Sequence, residues 1–316
     1  MFARFLIATC LLFISLAGTA APYAYITNQL DNSVSVVDTE TAQVVKTIPV
    51  GKRPAGVATM ADNSRVFISN PEDKSLSVID GNKLEVIDTL AVGKGPVALA
   101  LQPDREHLYV ADWYEDVVRV FNSRTLKLIT TINVGASPSG LAVHPEGHVL
   151  YVANRDDNSL SLIDVEQYEV TATIAVGKAP FGVSVSADGN RIFTANVQSS
   201  DVSVINSDPL HVIDTVAVGL FPYASVYVPD INRLFVTNQR DASVSVVDME
   251  TMTTITSIDV GIYPEGINLL PDGKTLYVSC WGDNAINVID SEILEVTETI
   301  SVGEGPRAYG QFIAPR

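Results

Sequence analysis

Across residues 139–176, apolar and polar positions change places in four short runs. Ser139-Gly140-Leu141-Ala142-Val143 is mostly apolar and ends at the turn residues His144-Pro145-Glu146-Gly147. Val149-Leu150-Tyr151-Val152-Ala153-Asn154 is rich in β-branched and aromatic residues, which suit a pleated surface. Ser159-Leu160-Ser161-Leu162-Ile163-Asp164 and Val170-Thr171-Ala172-Thr173-Ile174-Ala175-Val176 alternate with period two, as strands covered on one face do. Polar turns separate the runs, and no helical periodicity interrupts them. The pattern returns every 42 residues without insertion or deletion. Its markers are the Val-Gly glycines Gly51, Gly93, Gly135, Gly177, Gly219, Gly261 and Gly303, each followed three residues later by Pro54, Pro96, Pro138, Pro180, Pro222, Pro264 or Pro306. Four antiparallel strands per repeat, seven times over, predict an all-β fold, a seven-bladed β-propeller.

The repeats begin partway through a unit. Tyr25-Ile26-Thr27-Asn28 matches the second strand of a repeat, and its missing first strand stands at the C-terminus, in residues 307–313. One blade is therefore expected to combine residues 23–50 with the C-terminal strand, closing the ring and leaving only short protected edges. Residues 22–316 are filled by the repeats and read as a single domain.

Residues 1–21 do not fit the repeat. Arg4 precedes an apolar run at residues 5–17, and Gly18-Thr19-Ala20-Ala21 offers small residues for cleavage. This is the pattern of a secretory signal peptide, too short to span a bilayer. Cys10 lies too early for lipid attachment, and no later segment is long and apolar enough to cross a membrane. The expectation is a soluble periplasmic or secreted protein. After cleavage Cys280 is the remaining cysteine, so no intramolecular disulfide forms and the thiol reads as a small buried apolar group. The formal net charge is −17, and one unit more negative without Arg4, which argues against non-specific binding to nucleic acid or anionic lipid.

What recurs reads as architecture. The seven Val-Gly-x-x-Pro segments link one blade's outer strand to the next blade's inner strand. Asn28, Asn70, Asn154, Asn196 and Asn238, with Asp112 in one repeat, end the second strand, where an amide can satisfy turn backbone groups. Asp38, Asp80, Asp164, Asp248 and Asp290 close the third strand as Asx-type turns. Together with Tyr109-Val110-Ala111-Asp112, Tyr151-Val152-Ala153-Asn154 and Phe235-Val236-Thr237-Asn238, these links make the chain resemble the YVTN β-propeller repeat family of exported bacterial and archaeal surface-layer proteins. The resemblance covers the whole repeat region. It implies the propeller fold but no single activity, because propellers carry many unrelated functions.

What departs from the pattern marks a candidate site. The links and the turns after the second strand share one face of such a propeller. The links place Leu220, Phe221, Tyr223, Ile262 and Tyr263 at one side of the channel mouth, with Phe181 after an earlier proline. Lys52, Arg53 and Lys94 form a basic sector across the ring, beside Arg307, and the turns add Trp113, Tyr114 and Trp281. Aromatic and arginine side chains in such a setting form a recognition surface. The post-proline residues also include Glu265.

Other chemistry is not apparent. His144 and His148 flank Pro145-Glu146-Gly147 without further residues that complete a metal set, and His107 and His211 lie elsewhere. No haem-attachment motif, phosphate loop or nucleophile elbow is present. The sequence thus predicts no catalytic residues, no metal and no cofactor. It predicts an exported, monomeric, non-enzymatic binding or scaffold protein that holds a protein, peptide or small ligand at the mouth. The alternative is an enzyme or accessory subunit in periplasmic redox or lyase chemistry, since seven-bladed propellers include both. A second alternative is single-stranded DNA binding, which the resemblance suggests for some relatives and which the overall charge opposes.

Overall fold

Each repeat folds into one twisted antiparallel sheet, and seven such sheets surround a central channel in the computed structural model, which describes residues 22–103 and 106–314. In the second repeat Gly56–Thr59 lies innermost and Arg65–Asn70, Ser75–Asp80 and Glu85–Ala91 follow outwards. The outermost strand carries its polar residues to solvent, and the three inner strands are largely buried. Ring closure follows the predicted plan with an added twist. Ile313–Ala314 pairs antiparallel with Tyr23–Asn28 as the inner strand of the first blade, while Tyr309–Gln311 runs parallel to Gly56–Thr59 of the next blade. Thr27 Oγ1 also accepts the Ala308 N–H at 2.9 Å, across 281 positions of sequence. The segment expected to be a signal peptide lies outside the described residues. Among the described residues no helix is long and apolar enough to cross a membrane.

The core repeats with the sequence. Tyr25, Phe67, Tyr109, Tyr151, Phe193, Phe235 and Tyr277 occupy one position of the second strand in all seven blades, and each is fully buried. Each such ring contributes about 2–3 kcal/mol of burial free energy. The third strand differs from its sequence reading. Its polar and apolar residues alternate as if one face met water, yet Ser159–Asp164 is buried on both faces except at its final residue.

The buried hydroxyls have a specific partner. Asn154 Nδ2 donates to Ser159 Oγ at 3.0 Å and Ser161 Oγ at 2.8 Å. The same fork joins Asn28 to Ser33 and Ser35, Asn70 to Ser75 and Ser77, and Asn238 to Ser243 and Ser245, at 2.9–3.2 Å. The link glycine lies directly against this amide: a Cβ on Gly219 would stand 2.5 Å from Asn238 Cγ, and one on Gly51 2.6 Å from Asn70 Cγ. Close approach, rather than an unusual backbone angle, is what requires glycine at these links, because of the seven only Gly93 has positive φ (115°). The left-handed residue is instead the one just before the proline, as at Arg53, Ala179, Phe221 and Tyr263. Its amide and the preceding one are tied to neighbouring blades. Lys52 N–H donates to Asp73 Oδ2 at 2.7 Å and Arg53 N–H to Asn32 Oδ1 at 2.9 Å.

Two blades satisfy the same place differently. Where Cys280 replaces the asparagine, Asn287 of the next strand supplies the amide, accepting the Gly261 N–H at 2.7 Å and donating to Thr299 Oγ1 at 2.9 Å. Where Asp112 replaces it, Arg119 stands in the serine position and the two form a buried ion pair at 2.6 Å. Arg119 also holds Glu115, which Lys94 reaches from the other side, and these contacts pull the Glu115 carboxyl down to about 2.

Replacing Gly219 by Ala is expected to lower stability by about 1–3 kcal/mol through overpacking against the Asn238 amide, whereas the same change at half-buried Gly273, where the nearest atom lies at 3.5 Å, is limited by its positive φ alone; chemical denaturation of both variants measures the difference. Burial pushes the Cys280 thiol up to about 12. The native protein should therefore resist a thiol-specific chromogenic reagent at pH 8 and react stoichiometrically once unfolded; rapid native labelling would refute the buried placement.

Candidate functional site

One face of the ring is built from the Val-Gly-x-x-Pro links together with the turns after the second strands. The residue after each proline stands at or just before the start of an inner strand. At four positions it is large: Phe181, Tyr223, Glu265 and Arg307. Phe181 stacks on Tyr223 at 4.2 Å between centroids and on Tyr309 at 5.1 Å, and Tyr223 meets Tyr309 edge-on at 5.7 Å. The Tyr309 hydroxyl donates to the Phe181 carbonyl at 2.9 Å. These rings form a floor across the channel. Below it a cavity of about 340 Å³, lined mainly by the inner strands and by Tyr309, opens toward the opposite face. Above it a mouth cavity of about 360 Å³ is lined by Gln29, Arg53, Glu72, Trp113, Tyr114, Phe181 and Arg307.

A charged network is set into the floor. Arg307 Nε donates to Glu265 Oε2 at 2.6 Å and Nη2 donates to the Tyr223 hydroxyl. Gln239 Nε2 donates to the other Glu265 oxygen at 2.8 Å. The Glu265 side chain is 5% exposed and that of Arg307 22%, so the guanidinium alone of this pair reaches the mouth. Burial opposes the Arg307 charge, but Glu265 and Tyr223 outweigh it and hold its pKa above the ordinary arginine value. Burial likewise pushes the Tyr223 and Tyr309 phenols above their usual range against the pull of Arg307, so both stay neutral. Opposite, Arg53 Nε donates to Glu72 at 3.1 Å at the cavity rim. The mouth thus pairs a fixed cation at its base with a solvent-accessible carboxylate on its wall and an aromatic shelf at one side.

The predicted site residues divide into three groups. Arg53, Trp113, Tyr114, Phe181 and Arg307 meet at one cavity. Tyr223 lies just beneath it, 6% exposed, because its ring is sandwiched in the floor and its hydroxyl taken by Arg307. The others stand around the rim. Phe221 lies under the Arg240 guanidinium at 3.8 Å, and Tyr263 packs edge-on against Trp281 at 6.2 Å. Trp281 Nε1 in turn donates to Gln29 Oε1 at 3.2 Å, at the cavity edge. Lys52 and Lys94 are not free cations: each sits beside a turn carboxylate, Asp73 at 4.0 Å and Glu115 at 3.2 Å, as Arg53 does beside Glu72. The basic sector is therefore a ring of ion pairs, since the turns after the second strands are as acidic as the links are basic.

Four contributors were not singled out from sequence. Glu265 and Tyr309 belong to the inner strands, and Glu72 and Gln29 to the second-strand turns. For Glu265 the signal existed: it occupies the same post-proline position as Phe181, Tyr223 and Arg307. On the opposite face His144, Glu146 and His148 come together, although the sequence was read as having no metal set.

No curated protein sequence matches this chain. The family described as lactonase, seven-bladed β-propeller, matches residues 16–167 and 124–212, which together are more than half of the chain. Among solved structures, hydrazine synthase of Kuenenia stuttgartiensis is similar with a TM-score of 0.77 and 19% identity, over 90% of this chain and 99% of that one. A proposed 6-phosphogluconolactonase from Bacteroides uniformis ATCC 8492 gives 0.77 and 17%, over 91% and 98%. The dihydro-heme d1 dehydrogenase NirN, in complex with DHE, gives 0.71 and 14%, over 92% and 74%. At these identities the likenesses establish the fold. The expectation of a non-enzymatic scaffold is corrected by the family match. This chain belongs to the lactonase, seven-bladed β-propeller family.

Proposed function

We propose that the protein is an enzyme that hydrolyses small polyhydroxylated lactones in the mouth cavity. The observation that carries this reading is the Arg307 guanidinium, held charged by buried Glu265 at the base of a cavity whose wall carries the Glu72 carboxylate. A cavity of about 360 Å³ suits a single sugar-sized ring. Trp113 and Tyr114 offer apolar faces for that ring, and Gln29 offers an amide for its hydroxyls.

In this reading Arg307 polarises the lactone carbonyl and stabilises the oxyanion that forms when water attacks. Glu72 takes the proton of the attacking water. As the tetrahedral intermediate collapses, the ring C–O bond breaks and Glu72 returns the proton to the departing alkoxide, leaving a hydroxy acid. Glu265 does not touch substrate; it positions Arg307 and keeps it charged. Family membership supports a hydrolytic reading, and the Tyr-Val-x-Asn motifs support a likeness to YVTN-repeat propellers. The second reading is a redox enzyme or accessory subunit. It is supported by the architecture shared with proteins named hydrazine synthase and dihydro-heme d1 dehydrogenase.

A panel of aldonolactones assayed by acid release should reveal turnover by the wild-type protein. Arg307→Lys, which keeps the charge but loses the fixed fork, should lower kcat by about 10²-fold. Tyr114→Ala should raise KM with little change in kcat. Absence of hydrolysis across the panel would sink the lactonase reading, and co-purification of a redox subunit from the native source would then support the second.

A further inference from the structure

The turn between Pro138–Val143 and Val149–Asn154 carries two of the chain's four histidines around one glutamate, as His144-Pro145-Glu146-Gly147-His148. The hairpin register folds these three side chains onto one another. His144 N–H donates to the Val149 carbonyl at 2.8 Å, and Gly147 N–H donates back to the His144 carbonyl at 2.7 Å. Gly147 takes a φ of 76°, which reverses the chain between the two imidazoles. The rings stand 4.1 Å apart between centroids, and His148 Nδ1 lies 3.6 Å from Glu146 Oε2. One ligand atom from each of His144, Glu146 and His148 lies within 4.8 Å of the other two.

The cluster is held from both sides. Gln102 of the preceding blade donates through Nε2 to the Gly147 carbonyl at 2.6 Å, while its Oε1 engages His107 and the Tyr109 hydroxyl at 2.8 and 3.1 Å. His144 is 8% exposed and wedged against Gly189 of the following blade, where a Cβ would stand 2.1 Å from Nε2. His148 and Glu146 face solvent, their side chains 54% and 80% exposed. Pro145, inside the cluster, lines the cavity below the aromatic floor. The three ligands therefore sit at the lip of the lower channel opening, on the face opposite the mouth.

We propose that His144, Glu146 and His148 form a binding site for a single borderline divalent transition metal ion, of the zinc class, at the lower rim of the channel. Two imidazole nitrogens and one carboxylate oxygen select such ions over calcium and magnesium, which take all-oxygen sets. Three protein ligands leave a further coordination position open to water or to a group entering the lower cavity. His144 Nδ1 accepts a long hydrogen bond from the Glu146 N–H, at 3.2 Å. Coordination through that nitrogen exchanges this weak bond for a metal bond. The site is independent of the lactonase reading.

The test is isothermal titration of untagged, metal-stripped full-length protein with zinc chloride, alongside thermal melting with and without zinc. One equivalent should bind and raise the melting temperature. His148→Ala and Glu146→Gln, both at exposed positions, should each weaken zinc binding by about tenfold or more while leaving the melting temperature of the metal-free protein unchanged. His211→Ala should bind as wild type does, and calcium and magnesium should give no saturable heat. Absence of a single saturable zinc site, unchanged affinity in His148→Ala, or preference for calcium would each overturn the assignment.

Discussion

The propeller depends on a buried amide that must be shared three ways. At the end of each second strand a side chain sits where no water reaches, and its polar atoms need partners inside the protein. Serine hydroxyls of the third strand accept from its Nδ2, and the link to the next blade comes so close that only glycine fits. The serines follow the Asn by five and seven positions and the Gly belongs to the link that precedes it, yet each makes sense only with the others. The two altered blades show how firm the constraint is. When Cys280 removes the amide, Asn287 restores it one strand away, and when Asp112 introduces a charge, Arg119 and the link amides neutralise it. A hydrophobic residue alone in any of these places would leave the neighbouring donors unpaired, at a cost of about 1–3 kcal/mol each.

That constraint frees the inner strand. The residue after each link proline varies in chemistry from blade to blade, although Ser139 still ties its blade to the next through the Pro180 carbonyl. Ala55 and Ser139 leave room, Phe181 and Tyr223 close the passage, and Glu265 with Arg307 place a buried charge pair in the closure. The mouth is therefore assembled from positions equivalent in the repeat but unlike in chemistry. Function enters a repeat protein through such broken equivalence, and the ion-paired rim shows the converse. Lys52, Arg53 and Lys94 stand out in sequence but are matched by turn carboxylates.

Periodicity made most of the fold legible. Blade number, strand order and the shared closing blade followed from the spacing of Val-Gly and from the phase at which the chain begins. The alternating third strand was misread, because its serines looked solvent-facing when they were hydrogen-bond partners of a buried amide. The site was partly legible. Arg53, Trp113, Phe181 and Arg307 stood out as departures, but pairing between Glu265 and Arg307 joins residues 42 positions apart on adjacent inner strands, and nothing local signals which of two neighbouring departures are in contact. His144 and His148 were seen as a pair; Glu146 between them was counted as a turn residue until the hairpin turned its carboxylate back.

Closure of the first blade has a consequence for how the molecule comes into being. Its inner strand, Ile313–Ala314, is almost the last segment of the chain, and Tyr25 N–H donates to the Phe312 carbonyl at 2.9 Å. Five blades contain all their strands in sequence order and can form locally as they emerge, while the second also takes in Tyr309–Gln311. The first is left without an inner strand until residues 313–314 are present, and its buried Tyr25 stays uncovered on one side until then. Completion of the ring is thus a single late event of very long sequence separation, the slowest kind of contact to make.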